Sequence, residues 1–218
     1  MTSSPTNGKH PSMALVVAIV LVIWLVLVFL LGAGEAFVRP PGAPPFPILI
    51  GVTVPLVVFL TAYRLSGAFR AFVLAGDLPL VTAVQAWRFA GFGFLALYAH
   101  GVLPGVFVWP AALGDMAIGL TAPWLALALV RRPGFAASRL FVVWNLLGIL
   151  DLVVAVSDAA LNQSLATGAA GEVTVAPMAQ MPLVLVPAYF VPLFVMLHLA
   201  ALFQARRQDV SVNRGGSD

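Results

Sequence analysis

The sequence predicts an all-α integral membrane protein that forms one bundle of six transmembrane helices. Of its 218 residues, 61% are hydrophobic and only 9% are charged, whereas about 25% of the residues in a soluble domain are charged. The apolar residues also fall into six long runs, which are separated by short segments rich in proline, glycine or arginine. This composition excludes a soluble enzyme, a disordered chain and a nucleic-acid-binding domain.

Each run is close to the ~20 apolar residues that a helix needs to cross a bilayer. The predicted spans cover residues 13–33, 46–63, 78–101, 105–130, 140–156 and 181–203. We therefore expect a single transmembrane domain from residue 13 to residue 203. The flanking segments, 1–12 and 204–218, are expected to be disordered and cytoplasmic.

The distribution of basic residues predicts the orientation of the bundle. If the N-terminus is inside, nine Lys and Arg residues lie on the inner side and only Arg39 lies on the outer side. Basic residues in short loops favour the cytoplasmic side, so both termini should be cytoplasmic in a bacterial inner membrane. The nine inner residues are Lys9, Arg64, Arg70, Arg131, Arg132, Arg139, Arg206, Arg207 and Arg214.

The first span has a second interpretation, because Lys9 followed by an apolar run loosely resembles a signal peptide. The run is longer than the roughly 7–15 residues of a signal-peptide core, which favours a retained helix. The other five spans keep their orientation in either case.

The connecting segments contain clear start and stop signals. The proline-rich segment 40–47 cannot be helical throughout, because proline lacks the backbone donor and fixes φ. Segment 65–76 mixes aromatic residues with Arg70 and should lie along the inner membrane interface. Asp77 and Ser138 stand where helix N-caps are expected.

Two further features concern the interior of the helices. The sixth span contains Pro182, Pro187 and Pro192, so we expect it to be kinked or locally unwound. Trp87 and Trp144 fall deep within spans three and five, and we expect both to pack inside the bundle.

Six strongly polar residues lie deep inside the predicted spans, where ionisable groups are costly and usually functional. Four can carry charge, and two amides accompany them. The candidate substrate- or ion-binding residues are therefore Gln85, Arg88, Asp115, Asn145, Asp151 and His198.

The helical rise predicts that Arg88 and Asp115 form a pair. Spans three and four are joined by a very short turn at Leu103 and Pro104, so they must be antiparallel neighbours. Arg88 lies about 15 residues and Asp115 about 12 residues from that turn, a mismatch of roughly 5 Å that an arginine can bridge. Small residues on span four, such as Gly119, would let the two helices approach closely.

The remaining candidates are expected in two tiers. Arg88, Asp115 and Asp151 form a tier near the midplane, and Gln85, Asn145 and His198 form a tier nearer the cytoplasm. If Arg88 neutralises Asp115, then Asp151 is the surplus carboxylate that takes up a proton or a cation. The alternative is that these groups only hold the helices together.

Several short sequences resemble an uncharacterised family of small bacterial multi-pass membrane proteins. The resemblance spans roughly residues 80–200 and brings no activity with it. It rests on Gln85-Ala86-Trp87-Arg88, Gly101-Val102-Leu103-Pro104, Gly114-Asp115, Trp144-Asn145-Leu146-Leu147-Gly148, Pro192 and His198.

The polar midplane site favours a small transporter or a proton- or ion-coupled permease. The alternatives are an integral-membrane enzyme that acts on a lipid-soluble substrate, with catalytic residues unknown, and a structural or assembly subunit. Expected partners are the lipid bilayer, a small molecule or ion, and further copies in a homo-oligomer, but no nucleic acid. The absence of cysteine excludes thiolate metal sites and iron–sulfur clusters, and we expect no cofactor and no metal.

Overall fold

The computed structural model of the protein describes residues 12–132 and 134–215, with side chains as far as Arg207. Residues 1–11, most of the expected N-terminal segment, lie outside this range. The described chain is helical and contains six helices that are long and apolar enough to cross a membrane. These six spans are Met13–Ala33, Phe46–Leu65, Leu78–Ala99, Gly105–Arg131, Arg139–Leu165 and Val186–Arg207.

Eight α-helices make up the spans and one connecting segment. They are α1 (Met13–Ala33), α2 (Phe46–Leu65), α3 (Gly67–Ala75), α4 (Leu78–Val84), α5 (Phe92–Ala99), α6 (Gly105–Arg131), α7 (Arg139–Leu165) and α8 (Val191–Gly215). The third span consists of α4, a 3₁₀ segment at Gln85–Gly91, and α5. The sixth span begins with a π-helical turn at Val186–Phe190 and continues into α8.

The helix starts follow the predicted capping. The Asp77 carboxylate accepts a hydrogen bond from the backbone N–H of Leu80 at 3.0 Å, and the Ser138 hydroxyl accepts one from Phe141 at 3.3 Å. Each side chain satisfies a backbone donor that has no partner within its own helix. Both predicted N-caps are therefore confirmed.

The bundle has two ends, which we name by what they carry. The Arg39 end contains the connections 34–45, 100–104 and 166–185. The terminal end contains both ends of the described chain and the connections 66–77 and 132–138. Helix α3 lies at the terminal end, where the Gln204 amide of α8 donates to the carbonyl of Val73 at 2.9 Å.

The predicted boundaries need correction at the end of the fifth span and at both ends of the sixth, which begins at Val186 and not at residue 181. Helix α7 continues to Leu165, nine residues beyond the predicted end of the fifth span. The last helix runs through to Gly215, although we placed the end of the sixth span at Phe203. The expected irregularity of the sixth span is confirmed, because a π-helical turn that contains Pro187 precedes α8.

Of the two tryptophans expected inside the bundle, only Trp144 is buried. Trp87 is 76% exposed, so that expectation was wrong. Trp87 lies in the 3₁₀ segment next to Arg88, and about three residues complete a turn there. Neighbouring side chains therefore point about 120° apart, and Trp87 is directed outward where Arg88 is directed inward.

Candidate functional site

The candidate site is centred on Arg88, whose side chain is completely buried. Its Nε donates to Oδ1 of Asp115 at 2.7 Å. Its Nη2 forms a second ion pair with Oδ2 of Asp151. Its Nη1 donates to the carbonyl oxygen of Gly148 at 3.1 Å and contacts Nε2 of His198 at 3.2 Å. One guanidinium thus holds groups from α6, α7 and α8.

The predicted pair of Arg88 and Asp115 is present, but Arg88 is not reserved for Asp115. We expected Asp151 to be left without a counter-charge, and the geometry overturns that expectation because Asp151 binds the same guanidinium. Arginine can do this because its donors are spread over a planar fork that can serve several acceptors at once.

Two residues of the expected inner tier, Asn145 and His198, belong to the same network as the midplane tier. His198 is 1% exposed and contacts Arg88 through Nε2, while its Nδ1 lies 2.9 Å from Oδ1 of Asn145. The Asn145 amide in turn donates to the carbonyl of Phe141 at 2.9 Å. His198 therefore contacts the midplane residue Arg88 directly, and Asn145 is connected to it through His198.

These contacts assign the proton on His198. Arginine has only donors, so the Nε2 that faces it must accept and carries no proton. Nδ1 then carries the proton and donates to Oδ1 of Asn145, which agrees with the Asn145 amide nitrogen donating to Phe141. The imidazole is neutral in this arrangement, so with both carboxylates ionised the network of one arginine and two carboxylates has one surplus negative charge.

Gln85 lies apart from this network. Its amide nitrogen donates to the carbonyl of Phe194 at 3.2 Å, which links span three to α8. Its Oε1 and the hydroxyl of Thr82 are buried, and neither has a hydrogen-bond partner among the described residues. Gln85 therefore holds two helices together beside the network.

Glycines shape the site, and of the three described here the sequence indicated this role for Gly119 only. A Cβ at Gly148 would overlap the imidazole of His198, and a Cβ at Gly91 would lie 2.6 Å from Cβ of Asp115. A Cβ at Gly119 would overlap the backbone of Phe89 in the 3₁₀ segment, so α6 and span three meet backbone to backbone there. The signal available in the sequence was that each glycine lies in the same span as one of the buried polar residues, within about four residues of it.

An apolar cavity extends from the Arg39 end to Asp115. The space within its outline that is not filled by atoms is about 830 Å³, which includes open solvent at its mouth, and the volume open to the centre of a water molecule is about 70 Å³. It follows the row Phe107, Ala111 and Asp115 on α6, and its α7 wall runs from Leu152 to Gln163. That stretch of helix corresponds to a depth of about 16 Å.

Among the described residues that line the cavity, only three have polar side chains, and these are Arg39, Asp115 and Gln163. Arg39 is exposed at the end of the bundle, whereas the Asp115 side chain is only 17% exposed. Asp151 does not line this cavity. Of the two carboxylates bound to Arg88, Asp115 is therefore the one that a molecule in the cavity would meet.

The arrangement is poorly suited to a metal ion. Within the part of the chain that the structure describes, no group of three or more His, Asp or Glu side chains could hold one. The guanidinium of Arg88 lies between the two carboxylates and beside His198, so it would repel a metal ion at that position.

Comparison with known proteins gives a family and no function. No curated protein and no solved structure matches the chain. A family model described as "Domain of unknown function (DUF8737)" matches residues 45–206, which include the whole polar network and most of the cavity wall. This match agrees with the resemblance to an uncharacterised family and extends it beyond residues 80–200. The chain therefore belongs to the DUF8737 family.

Proposed function

We propose that this protein is a small carrier of the bacterial cytoplasmic membrane and that it couples transport to the binding of a proton or cation. One observation carries the proposal: the guanidinium of Arg88 binds two carboxylates from neighbouring spans, and one of them lies in the wall of a deep cavity. The distribution of basic residues favours an orientation in which the Arg39 end faces outward.

Charge balance supports coupling. Two ionised carboxylates and one arginine leave a surplus negative charge in a region of low dielectric, where it is costly. Binding of one proton or one monovalent cation removes the surplus. The network therefore has a net charge of −1 without the proton or cation and is neutral with it, and a coupling site alternates between two such states.

The proton would change the contacts between the helices. Asp115 on α6 and Asp151 on α7 are both held by Arg88 on span three. Protonation of either carboxylate weakens its ion pair and leaves Arg88 bound to the other one. The same guanidinium thus favours one helix or the other according to where the proton lies.

Irregular helices adjoin this site, as is common in secondary transporters. The 3₁₀ segment at Gln85–Gly91 contains Arg88, and the π-helical turn at Val186–Phe190 contributes Val186 and Pro187 to the cavity wall. Segments of these kinds within a helix often mark positions of movement. They give span three and the sixth span local freedom that a regular helix lacks.

The proposal is tested by asking whether the network takes up a proton. Purified protein in lipid is stepped between pH values while infrared difference spectra are recorded in the carboxyl C=O region. We expect a carboxyl band that titrates and that is lost in Asp115→Asn combined with Asp151→Asn. If no carboxyl band that depends on Asp115 and Asp151 titrates between about pH 4 and pH 9, the range of ordinary and buried carboxyl groups, the network is structural and the carrier proposal fails.

A further inference from the structure

The walls of the cavity indicate what kind of molecule fits it. Apart from Arg39, Asp115 and Gln163, every side chain that the structure describes in the wall is apolar. The Gln163 amide is already used, since it donates to the carbonyl of Pro40 at 3.1 Å. A ligand that fills this space gains most from an apolar body, because little of the wall offers hydrogen bonds.

The charge at the inner end of the cavity indicates what that body should carry. Asp115 is the wall residue at this end, and the arginine that it binds is shared with Asp151. An anion placed here would meet surplus negative charge, and a neutral molecule would leave the surplus in place. A cation would neutralise it at short range in a low dielectric.

The other charged groups do not reverse this preference. Arg88 is completely enclosed and is occupied by its contacts with Asp115, Asp151, Gly148 and His198. Arg39 lies at the exposed mouth, where water and salt screen its charge. The field at Asp115 is thus set by one buried arginine and two carboxylates, beside a neutral imidazole.

We infer that the cavity binds a lipophilic organic cation, which competes with a proton for the surplus negative charge of the Arg88 network. This inference rests on the proposed carrier function and names its substrate class. Cation binding and proton binding would exclude each other, because each alone restores neutrality. The resulting transport cycle would exchange a proton for the cation.

Two ions of the same shape and opposite charge provide the test. Tetraphenylphosphonium and tetraphenylborate have four phenyl groups on a central atom, so an apolar cavity alone would not separate them by charge. With purified full-length protein in detergent, we expect equilibrium dialysis to give at least tenfold tighter binding of tetraphenylphosphonium. Equal affinities, or tighter binding of tetraphenylborate, would overturn the inference.

Variants locate the binding site. Asp115→Asn and Asp151→Asn each remove the surplus charge, the first from the cavity wall and the second from behind it, and each should weaken tetraphenylphosphonium binding at least tenfold. Ala155→Phe fills the cavity and should abolish binding, whereas Val154→Phe on the exposed face of α7 should leave it unchanged. Unchanged affinity in both Asn variants would contradict the role of the charge.

Proton release provides a second measurement. In weakly buffered solution, tetraphenylphosphonium binding should release up to one proton per bound ion, and its affinity should fall as the pH is lowered. Binding without proton release over the range in which the carboxyl band titrates would contradict the competition. The protein could bind tetraphenylborate more tightly and still show the titrating carboxyl band. That result would refute the substrate class alone and leave the carrier proposal standing.

Discussion

Gly114 of α6 lies against the carboxylate of Asp151 of α7, and a Cβ at position 114 would overlap that carboxylate. The neighbouring residue, Asp115, binds the same arginine as Asp151. The lack of a side chain at Gly114 is therefore what allows two carboxylates from adjacent helices to converge on one guanidinium.

This contact predicts that Gly114→Ala is strongly destabilising. The added methyl group must displace the Asp151 carboxylate from Arg88 or push α6 and α7 apart, and strain of this kind costs about 1–3 kcal/mol. Gly93→Ala is the matched control, because nothing lies within 4 Å of a Cβ at that helical position. Thermal unfolding in detergent should show a lower midpoint for Gly114→Ala only, and equal midpoints would contradict the packing described here.

The charge count predicts unequal effects from the three charged residues. Arg88→Ala leaves two buried carboxylates without a counter-charge, and losing one partner of a buried pair costs about 3–5 kcal/mol. Asp115→Asn or Asp151→Asn leaves one arginine with one carboxylate, so each should be mild or stabilising.

Thermal unfolding of the same protein preparations checks this order, with Arg206→Ala as the control for loss of an exposed arginine. If Asp115→Asn were as destabilising as Arg88→Ala, the surplus negative charge would not exist in the folded protein.

The donor pattern predicts the tautomer of His198. At neutral pH the imidazole should be uncharged and protonated on Nδ1, because Arg88 faces Nε2. Nitrogen NMR of histidine-labelled protein distinguishes this form, and the chain has only two other histidines, His10 and His100. Their Gln variants assign the spectrum, and a signal from His198 that showed protonation on Nε2 would refute the arrangement.

Much of the fold could be predicted because the length of each apolar run and the positions of the prolines can be read directly from the sequence. The end of α7 could not be placed by counting apolar residues, since polar residues are frequent from Ser157 to its end at Leu165. Ser157 and Ser164 donate to the carbonyls of Val153 and Ala160, four residues earlier in the helix. Their hydroxyls are satisfied by the helix itself, so the helix continues where the apolar run ends.

The site could be predicted only where a short connection fixes how deep two residues lie in the membrane relative to each other. A very short turn fixes spans three and four relative to each other, and the pair of Arg88 and Asp115 followed from residue counting. No such turn links Asp151 to Arg88, and the contact depends on how closely α6 and α7 pack at Gly114. The sharing of Arg88 by Asp115 and Asp151 depends on tertiary packing, so it cannot be predicted by counting residues along single helices.

The basic residues predict the orientation of the bundle. Alkaline phosphatase, which is active only outside the cytoplasm, should be inactive when fused after Asp218 and active when fused after Gly171 in the Arg39-end connection. Green fluorescent protein fluoresces in the cytoplasm but not after export through the general secretion pathway. It should therefore give the reverse pattern. Active phosphatase after Asp218 would show that the Arg39 end, where the cavity opens, faces the cytoplasm and not the outside.

The last prediction concerns Glu172 in the connection between α7 and the sixth span. Its carboxylate accepts hydrogen bonds from the backbone N–H and hydroxyl of Thr167 and from the backbone N–H groups of Gly168 and Ala169. These bonds stabilise the charged form, so the pKa of Glu172 lies below its ordinary value, chiefly through the backbone bond from Thr167. Because the pKa is lowered in the folded state, these hydrogen bonds stabilise the folded connection fully above the ordinary carboxyl pKa. That stabilisation is lost as the pH falls through the lowered pKa. Amide exchange at residues 167–169 should therefore be slow at neutral pH and should lose protection in acid beyond the intrinsic pH trend. Glu172→Gln should remove that pH dependence, while amides within α7 serve as the internal reference. Exchange at residues 167–169 that followed the α7 reference at every pH would show that the carboxylate does not order this connection.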